Sequence, residues 1–432
     1  MHQTKKRIKP KNSERQQHLN IRKKFFLVMK KSFWGLNDLS ISGRTVLVRV
    51  DFNVPLDEQG NIYDDDKIRA AIPTIRFLIQ NNARIILMSH LGRPKGIEEK
   101  LKMDVIGERL QKLLKSRVIK VNNCVGEDVK VIVQNMHEKD IVLLENLRFY
   151  PEEESNSRDF AQALADLADI YVNDAFGTMH RAHASVDAIT RFIPSCAGFL
   201  VEKELQMLKQ VTEKPKSPFV AIIGGAKISD KIKFMEALVD KVDFLLVGGA
   251  MMFTFFKGQH KNVGKSLVEP ELTNFARKLF VNHKNIVLPV DVVGDTKTDE
   301  NAKPKLALAD SIPDDFIGMD IGPETINLFE KKIRIARTIF WNGPLGKCEL
   351  KQFSKGTKAI AKAIVSRRCL KIAGGGDSLA IIEKLHLSRK FTHISTGGGA
   401  TLDFIANGTL PGIIALELSC QNFAKYKQDG II

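Results

Sequence analysis

Two lysines about one helical turn apart, Lys227 and Lys231, stand in the stretch PFVAIIGGAKISDK at 218–231. Residues 219–223 are a short apolar run that reads as a buried strand. Gly224 and Gly225 break it, and 228–238 reads as a helix with Ser229 and Asp230 near its start. A strand, a glycine turn and a helix N-terminus bring free backbone N–H groups and the positive end of a dipole together, which suits a phosphate. The plainer reading is a βα corner with solvated lysines, and this stretch alone does not choose between them. A second candidate is AGGGDS at 373–378. Three glycines follow an apolar run, and Asp377 and Ser378 open a helix. Asp377 offers a hard oxygen for Mg²⁺ and Ser378 a helix cap, though close strand–helix packing explains the glycines equally well.

These residues need elements to carry them. From Arg44 onward, apolar runs at 46–50, 85–88, 141–144, 170–172, 219–223, 244–247, 286–290, 338–341, 370–373 and 393–395 alternate with helical patterns such as 68–80, 104–114, 157–167, 231–238, 271–281 and 355–365. That alternation predicts parallel sheets covered on both faces. Ten strands exceed one comfortable sheet. The predicted class is α/β, with two doubly wound, Rossmann-like parallel-sheet domains joined by a helix at 198–210 and a linker, VTEKPKSP, at 211–218.

The strand ends differ between the halves. In the first they carry side-chain polar groups: Asp51 to Asn53, Ser89 to Arg93, Glu145 to Arg148, and Asn173-Asp174 leading to His180-Arg181. In the second they carry glycines: 224–225, 248–249, 343–346, 374–376 and 397–399. Ligands of open parallel sheets bind beyond the carboxyl ends of the strands. The first half therefore suits a small polyanion gripped by cations, and the second suits the phosphates of a nucleotide gripped by backbone amides. Two such mouths facing each other across a linker point to a kinase with a hinge. Each cation taken singly reads equally as a solvated or ion-paired surface group.

Composition narrows the class. The chain has 432 residues, 44% of them hydrophobic and 27% charged, with a net charge of +16, ordinary for a globular protein of two or three domains apart from its charge. Residues 1–28 hold nine Lys or Arg against Glu14 alone. This leader reads as a disordered tail, a nucleic-acid arm, or an over-long start with Met29 as the true beginning. Its Lys-rich, Ser-poor make-up fits a transit peptide badly, and it lacks the apolar core of a secretory signal. Five scattered cysteines without a CxxC pair argue against a disulfide framework or zinc site and for a reducing compartment. The longest uncharged apolar stretch, 244–256, is too short to span a membrane. GQHKNVGKS at 258–266 fails as a P-loop because five residues, not four, separate its glycines. His180 and His183 lack a third ligand, and Asp64-Asp65-Asp66 lacks calcium-loop spacing and reads as a solvated turn.

Longer motifs then combine. VLVRVDFNVPL at 46–56, SHLGRPKG at 89–96, LLENLRF at 143–149 and VNDAFGTMHRAHAS at 172–185 lie in the first half. IIGGAKISDKI at 222–232, VGGAMMFTF at 247–255, MDIGPET at 319–325, WNGPLG at 341–346, AGGGDS at 373–378 and STGGGA at 395–400 lie in the second. Together they resemble the phosphoglycerate kinase family from about Met29 to Gly412. The resemblance implies reversible phosphoryl transfer between 1,3-bisphosphoglycerate and Mg-ADP by a cytoplasmic monomer, with Mg²⁺ and ATP/ADP, small-molecule substrates, and neither membrane nor nucleic-acid partner. It implies a substrate domain at 29–197, a joining segment at 198–217, a nucleotide domain at 218–405 and a tail at 406–432 returning to the first domain. By motif, Asp51, Phe52, Asn53, His90, Leu91, Gly92, Arg93, Arg148 and Arg181 would bind the glycerate. Lys231, Gly318, Glu349 and Gly375 to Ser378 would bind the nucleotide, with Asp377 on Mg²⁺. Lys227, Lys67, Gly376 and Gly399 would serve the transfer itself. Lys67 stands where the family has Arg, keeping charge but losing the bidentate fork. Lys347 and Cys348 replace apolar residues beside the ribose site. The runner-up reading is an inactive protein of the same fold using its basic leader on nucleic acid.

Overall fold

The computed structural model describes residues 32–430, so the leader and the choice of start lie outside the described residues. The central strands of the two large sheets are apolar runs buried along all or nearly all of their length, as parallel sheets covered on both faces require. The first sheet comprises β1 (Trp34–Gly35), β2 (Thr45–Arg49), β3 (Arg84–Met88), β4 (Ile119–Lys120), β5 (Ile141–Leu143), β6 (Ile170–Asn173) and β7 (Ser195–Ala197). They are ordered β1-β7-β6-β2-β3-β5-β4, all parallel. The second comprises β8 (Phe219–Ile223), β9 (Phe244–Val247), β10 (Ile286–Val287), β14 (Thr338–Asn342), β15 (Leu370–Gly374) and β16 (His393–Ile394), ordered β10-β9-β8-β14-β15-β16 and again parallel. In each sheet the strand order reverses beside an early strand, between β2 and β6 and between β8 and β14. The loops there diverge and leave a crevice.

A third sheet is a departure from expectation. β11 (Asp291–Asp295), β12 (Lys305–Leu308) and β13 (Ile317–Ile321) form a small antiparallel sheet ordered β12-β11-β13. The run at 286–290 is thus not one strand. Only Ile286 and Val287 pair with β9, and two residues later Pro289, which has no N–H to give, ends the ladder.

Two connections cross between the sheets. The Phe199–Thr212 helix buries Val201, Leu205, Leu208 and Val211 in the core of the second sheet, each worth about 2 kcal/mol. Its start is fastened to the first sheet. Asp174 Oδ1 accepts from Leu200 N at 2.8 Å and Thr74 Oγ1 accepts from Phe199 N at 3.1 Å. The rings of Phe77 and Phe199 meet edge-on at 5.0 Å. After the Gly399–Asn407 helix the chain returns. The Pro411–Asn422 helix lies against β7, where Ser419 Oγ accepts from Ser195 N at 3.1 Å and Gly412 N donates to Met179 O at 2.9 Å. Among the described residues no single helix is long and apolar enough to cross a membrane.

Candidate active site

The crevice beside β2 is lined by cations. Arg49, Lys67, Arg93, Arg148 and Arg181 surround about 100 Å³ together with His90, His180 and His183, and Asp51 is the lone carboxylate in that lining. Most of these side chains come from a strand end or the loop after it, and Lys67 comes from a helix. Lys67 opens the Asp66–Gln80 helix and its Nζ lies 2.9 Å from Asp51 Oδ2. Asn53 Oδ1 accepts from Gly92 N at 2.9 Å, and Arg148 Nη1 donates to Gly92 O at 2.6 Å, so these loops hold one another. Gly92 has φ +66°, and an added Cβ there would meet Leu101 at 2.8 Å. Phe52 and Leu91, expected at the ligand, are instead core side chains with 0% and 1% exposure and are not part of the crevice lining.

Electrostatics follow from burial. His90 is pushed well below its ordinary value, first by burial and then by Arg49, Arg148, Lys67 and Arg181. It is neutral at pH 7 and offers a hydrogen bond rather than a charge. Burial also lowers Arg148, and burial with Arg181 lowers His180. His180 and His183 line the same crevice as His90 and Asp51.

Arg49, inside β2, was not foreseen. It is 1% exposed, with Nε donating to Ser185 Oγ at 2.9 Å and Nη2 within 3.1 Å of His90 Nδ1. Below it Glu153 accepts from Ser185 N and Oγ. Burial works to raise the Glu153 carboxyl, but His183, Arg49 and Ser185 together hold it low. This buried anion offsets part of the charge under the cation cup.

The second mouth is built by close chain approach. A Cβ on Gly224 would fall 1.9 Å from Pro344 O, and one on Gly249 would fall 2.5 Å from Gly225 N. Only glycine lets these loops stack. Lys227 is exposed, whereas Lys231 folds inward and donates from Nζ to Gly224 O. Burial drops Lys231 from its ordinary 10.5 to about 8, with Asp377 and Asp230 opposing. Gly376, Asp377 and Gly399 are exposed at the starts of the Gly376–Lys384 and Gly399–Asn407 helices. A Cβ on Gly376 would meet nothing within 4 Å. Gly318 lies in β13, where a Cβ would collide with the Phe253 ring at 2.0 Å, and Glu349 is exposed two residues after Lys347, whose N donates to Met319 O at 2.7 Å beside Gly318. Lys347 Nζ donates to Thr298 O at 3.0 Å, and Cys348 Sγ sits 3.3 Å from Thr357 Oγ1.

Three expectations change. Ser378 does not cap its helix; Gly375 holds the cap position with φ +94°. The Ser378 hydroxyl is buried and accepts from Gly343 N at 2.7 Å, tying two loops and leaving the first amides of the helix open. The α-helix after Lys231 begins only at Ile232, behind a short 3₁₀ turn at Ser229–Lys231. The Ile228 and Ser229 amides are not free either, because Glu269 accepts from both. Asp64-Asp65-Asp66 is not simply solvated: Asp65 pairs with Arg69 and Arg109 at 2.6 Å each. Their carboxylates lie close enough to share a cation, but two guanidinium groups already take the middle one.

The mouths face each other. A Cβ on Gly399 would lie 3.6 Å from His180 Nε2, and one on Gly177 would lie 3.7 Å from Thr396 O. Glu204, on the connecting helix, accepts from Thr396 N at 2.9 Å and lies 2.7 Å from His393 Nε2. On the rim, burial together with Asp66 and Asp64 raises Glu383 to about 7.

The sequence model of the family described as phosphoglycerate kinase matches residues 36–408. A phosphoglycerate kinase of Dictyoglomus turgidum is 49% identical over 393 residues, covering 90% of this chain and 99% of its own. A chloroplastic and a cytosolic phosphoglycerate kinase of Arabidopsis thaliana are 47% and 46% identical, each over 90% of this chain and over 83% and 100% of their own. The structure is similar to that of phosphoglycerate kinase from Coxiella burnetii, with TM-score 0.80 and 36% identity over 89% of this chain and 98% of the other. For the Pyrococcus horikoshii enzyme the values are 0.81 and 30% over 90% and 100%. Two parallel-sheet bodies, a cation cup facing a glycine-built mouth, and these likenesses along nearly the whole described chain place it in the phosphoglycerate kinase family of phosphotransferases.

Proposed function

We propose that the chain transfers a phosphoryl group reversibly between 1,3-bisphosphoglycerate and ADP, giving 3-phosphoglycerate and ATP. The observation that carries this reading is the opposition of the two mouths: a crevice with five Lys or Arg in its lining, facing exposed helix starts at Gly376 and Gly399. The cation cup binds the glycerate's carboxylate and phosphate through Arg93, Arg148 and Arg181, with neutral His90, Asp51 and Asn53 on its hydroxyl. The amides at Gly375 to Ser378 and the Lys231 ammonium take the nucleotide phosphates. Gly318 and Glu349 flank adenine and ribose.

An acyl phosphate is already activated, and the attacking oxygen of ADP is already ionised, so no general base is needed. The protein's task is alignment and neutralisation of charge on the three equatorial oxygens. Lys227, exposed and without an ion pair among the described residues, meets the moving group from the nucleotide side. Lys67 meets it from the glycerate side after leaving Asp51. The Gly376 and Gly399 amides complete the cage. Closing the mouths excludes water that would hydrolyse the acyl phosphate.

A metal fits Asp377. A lone exposed carboxylate beside a phosphate site suits Mg²⁺, which keeps waters and takes its other ligands from the nucleotide. When bound it supplies charge neutralisation between phosphates. The chain is read as a monomer acting in the cytoplasm on small molecules, without a nucleic-acid partner.

A coupled assay of 3-phosphoglycerate-dependent ADP formation tests the reading. Turnover that requires both substrates and Mg²⁺, and that falls sharply in Lys227→Ala, is the expected result. Folded protein without turnover would overturn it.

A further inference from the structure

The loop that carries Lys227 lacks an internal cap. Its 3₁₀ turn at Ser229–Lys231 follows Ile228, and no side chain of the turn accepts from the leading amides. Such amides need a partner when buried. The partner comes from 40 residues away: Glu269 Oε2 accepts from Ile228 N at 2.5 Å and from Ser229 N at 3.3 Å, and its Oε1 accepts from Ser229 Oγ.

Glu269 is itself 8% exposed. A carboxylate at that depth is costly unless donors satisfy it, and here three donors of one loop do so. Its backbone is anchored as well, because Glu269 N donates to Thr254 Oγ1 at 3.1 Å, and Thr254 is buried in the Met251–Gly258 helix. Three residues earlier, Ser266 Oγ accepts from Gly318 N at 2.9 Å. One short segment therefore grips both ends of the nucleotide mouth.

We infer that Glu269 is a positioning residue for phosphoryl transfer, acting as an internal anion that fixes the loop from which Lys227 projects. The inference rests on the reading of Lys227 given above. Lys227 makes no ion pair among the described residues, so its backbone alone sets where its ammonium starts. That backbone is adjacent to the Ile228 amide held by Glu269. The same contact has a second effect. Because a protein carboxylate occupies the Ile228 and Ser229 amides, a phosphate at this corner is held by lysine ammonium and not by those N–H groups. A point charge on a long stem tolerates the movement of a group in transfer better than a fixed amide pair does.

The test is a double-mutant cycle on the full chain, with kcat and KM for both substrates measured per folded molecule and melting temperatures measured in parallel. Glu269→Gln places an amide NH₂ against backbone donors and loosens the loop. Small misplacements of a catalytic group cost up to about a hundredfold. Glu269→Gln is expected to lower kcat about tenfold or more, with KM for 3-phosphoglycerate held within about twofold. In a Lys227→Ala background it should add no further loss beyond about twofold, the mark of a residue acting through another. A Glu269→Gln kcat within about twofold of the parent, or losses that multiply in the double variant, would overturn the inference. If Lys227→Ala is slow and Glu269→Gln is not, only the role of Glu269 falls. If Lys227→Ala itself keeps full turnover, the reading of Lys227 falls and this inference with it. Should Glu269→Gln not fold, Ser229→Ala and Glu269→Asp carry the same cycle with the same criteria.

Discussion

Lys231→Met isolates the cost of holding an ammonium inside the nucleotide mouth. The side chain turns inward onto Gly224 O, and burial lowers it from 10.5 to about 8 despite Asp377 and Asp230. Below pH 8 the group is charged in folded and unfolded chains alike, and the folded protein bears the full desolvation cost. Between pH 8 and 10.5 the folded chain sheds its proton while the unfolded chain keeps it, so the wild type gains stability as pH rises. The shift of about 2.5 units corresponds to about 3 kcal/mol, reduced to about 2 because the side chain is only partly buried. Methionine has similar length and no charge. Relative to wild type, Lys231→Met should be most stabilising, or least destabilising, at pH 7, and should lose about 2 kcal/mol of that advantage by pH 10.5. Urea unfolding of the ligand-free proteins at pH 7, 8.5 and 10 measures it. Calorimetry of Mg-ADP binding supplies the other half: wild-type affinity falls by up to about tenfold per pH unit above 8, and the variant's weaker affinity does not share that fall. A stability difference independent of pH, or one that grows in favour of methionine with rising pH, would refute the argument.

Other outcomes follow from named contacts. Lys67→Arg should raise kcat severalfold, because the planar fork can span two oxygens of the moving group; an unchanged or lower kcat would mean that lysine is no handicap here. Asp174, raised by burial from 3.8 to about 7, takes up its proton more readily when folded, so stability falls as pH rises from 4 to 7. The wild type should lose about 3 kcal/mol relative to Asp174→Asn across that range in urea titrations, while Asp174→Ala, without the helix cap, should be less stable throughout. Glu383→Gln removes one member of the Asp66–Glu383 carboxyl pair across the rim. Its radius of gyration in solution scattering should be smaller than that of wild type at pH 8 and equal at pH 5.5, where the shared proton already relieves repulsion.

Much of the site was legible because strand ends are read directly from the sequence. Asp51, Asn53, His90, Arg93, Arg148 and Arg181 each follow an apolar run, and the sheet gathers them at one crevice. What escaped notice lacks a local signature. Arg49 sits within the run that forms β2, and its partner Ser185 lies 136 residues away. Glu269 follows a loop that resembled a broken P-loop, and nothing near it in sequence hints at Ile228. Ser378 looked like a cap because it stands where caps stand, but its hydroxyl is claimed by Gly343 in a neighbouring loop. The small antiparallel sheet was hidden because the run at 286–290 stops pairing after Val287, and β11, beyond Pro289 and outside that run, begins a different sheet at Asp291.

The chain passes between its two sheets twice, along the Phe199–Thr212 helix and again between Asn407 and Pro411. A body held by one tether can swing and twist in any direction, but a body held at two separated points has lost most of those freedoms and turns about the line through them. The second crossing thus works like the second pin of a door. If the proposed hinge opens, two crossings would confine it to a rotation about that line and bring the same faces back into register.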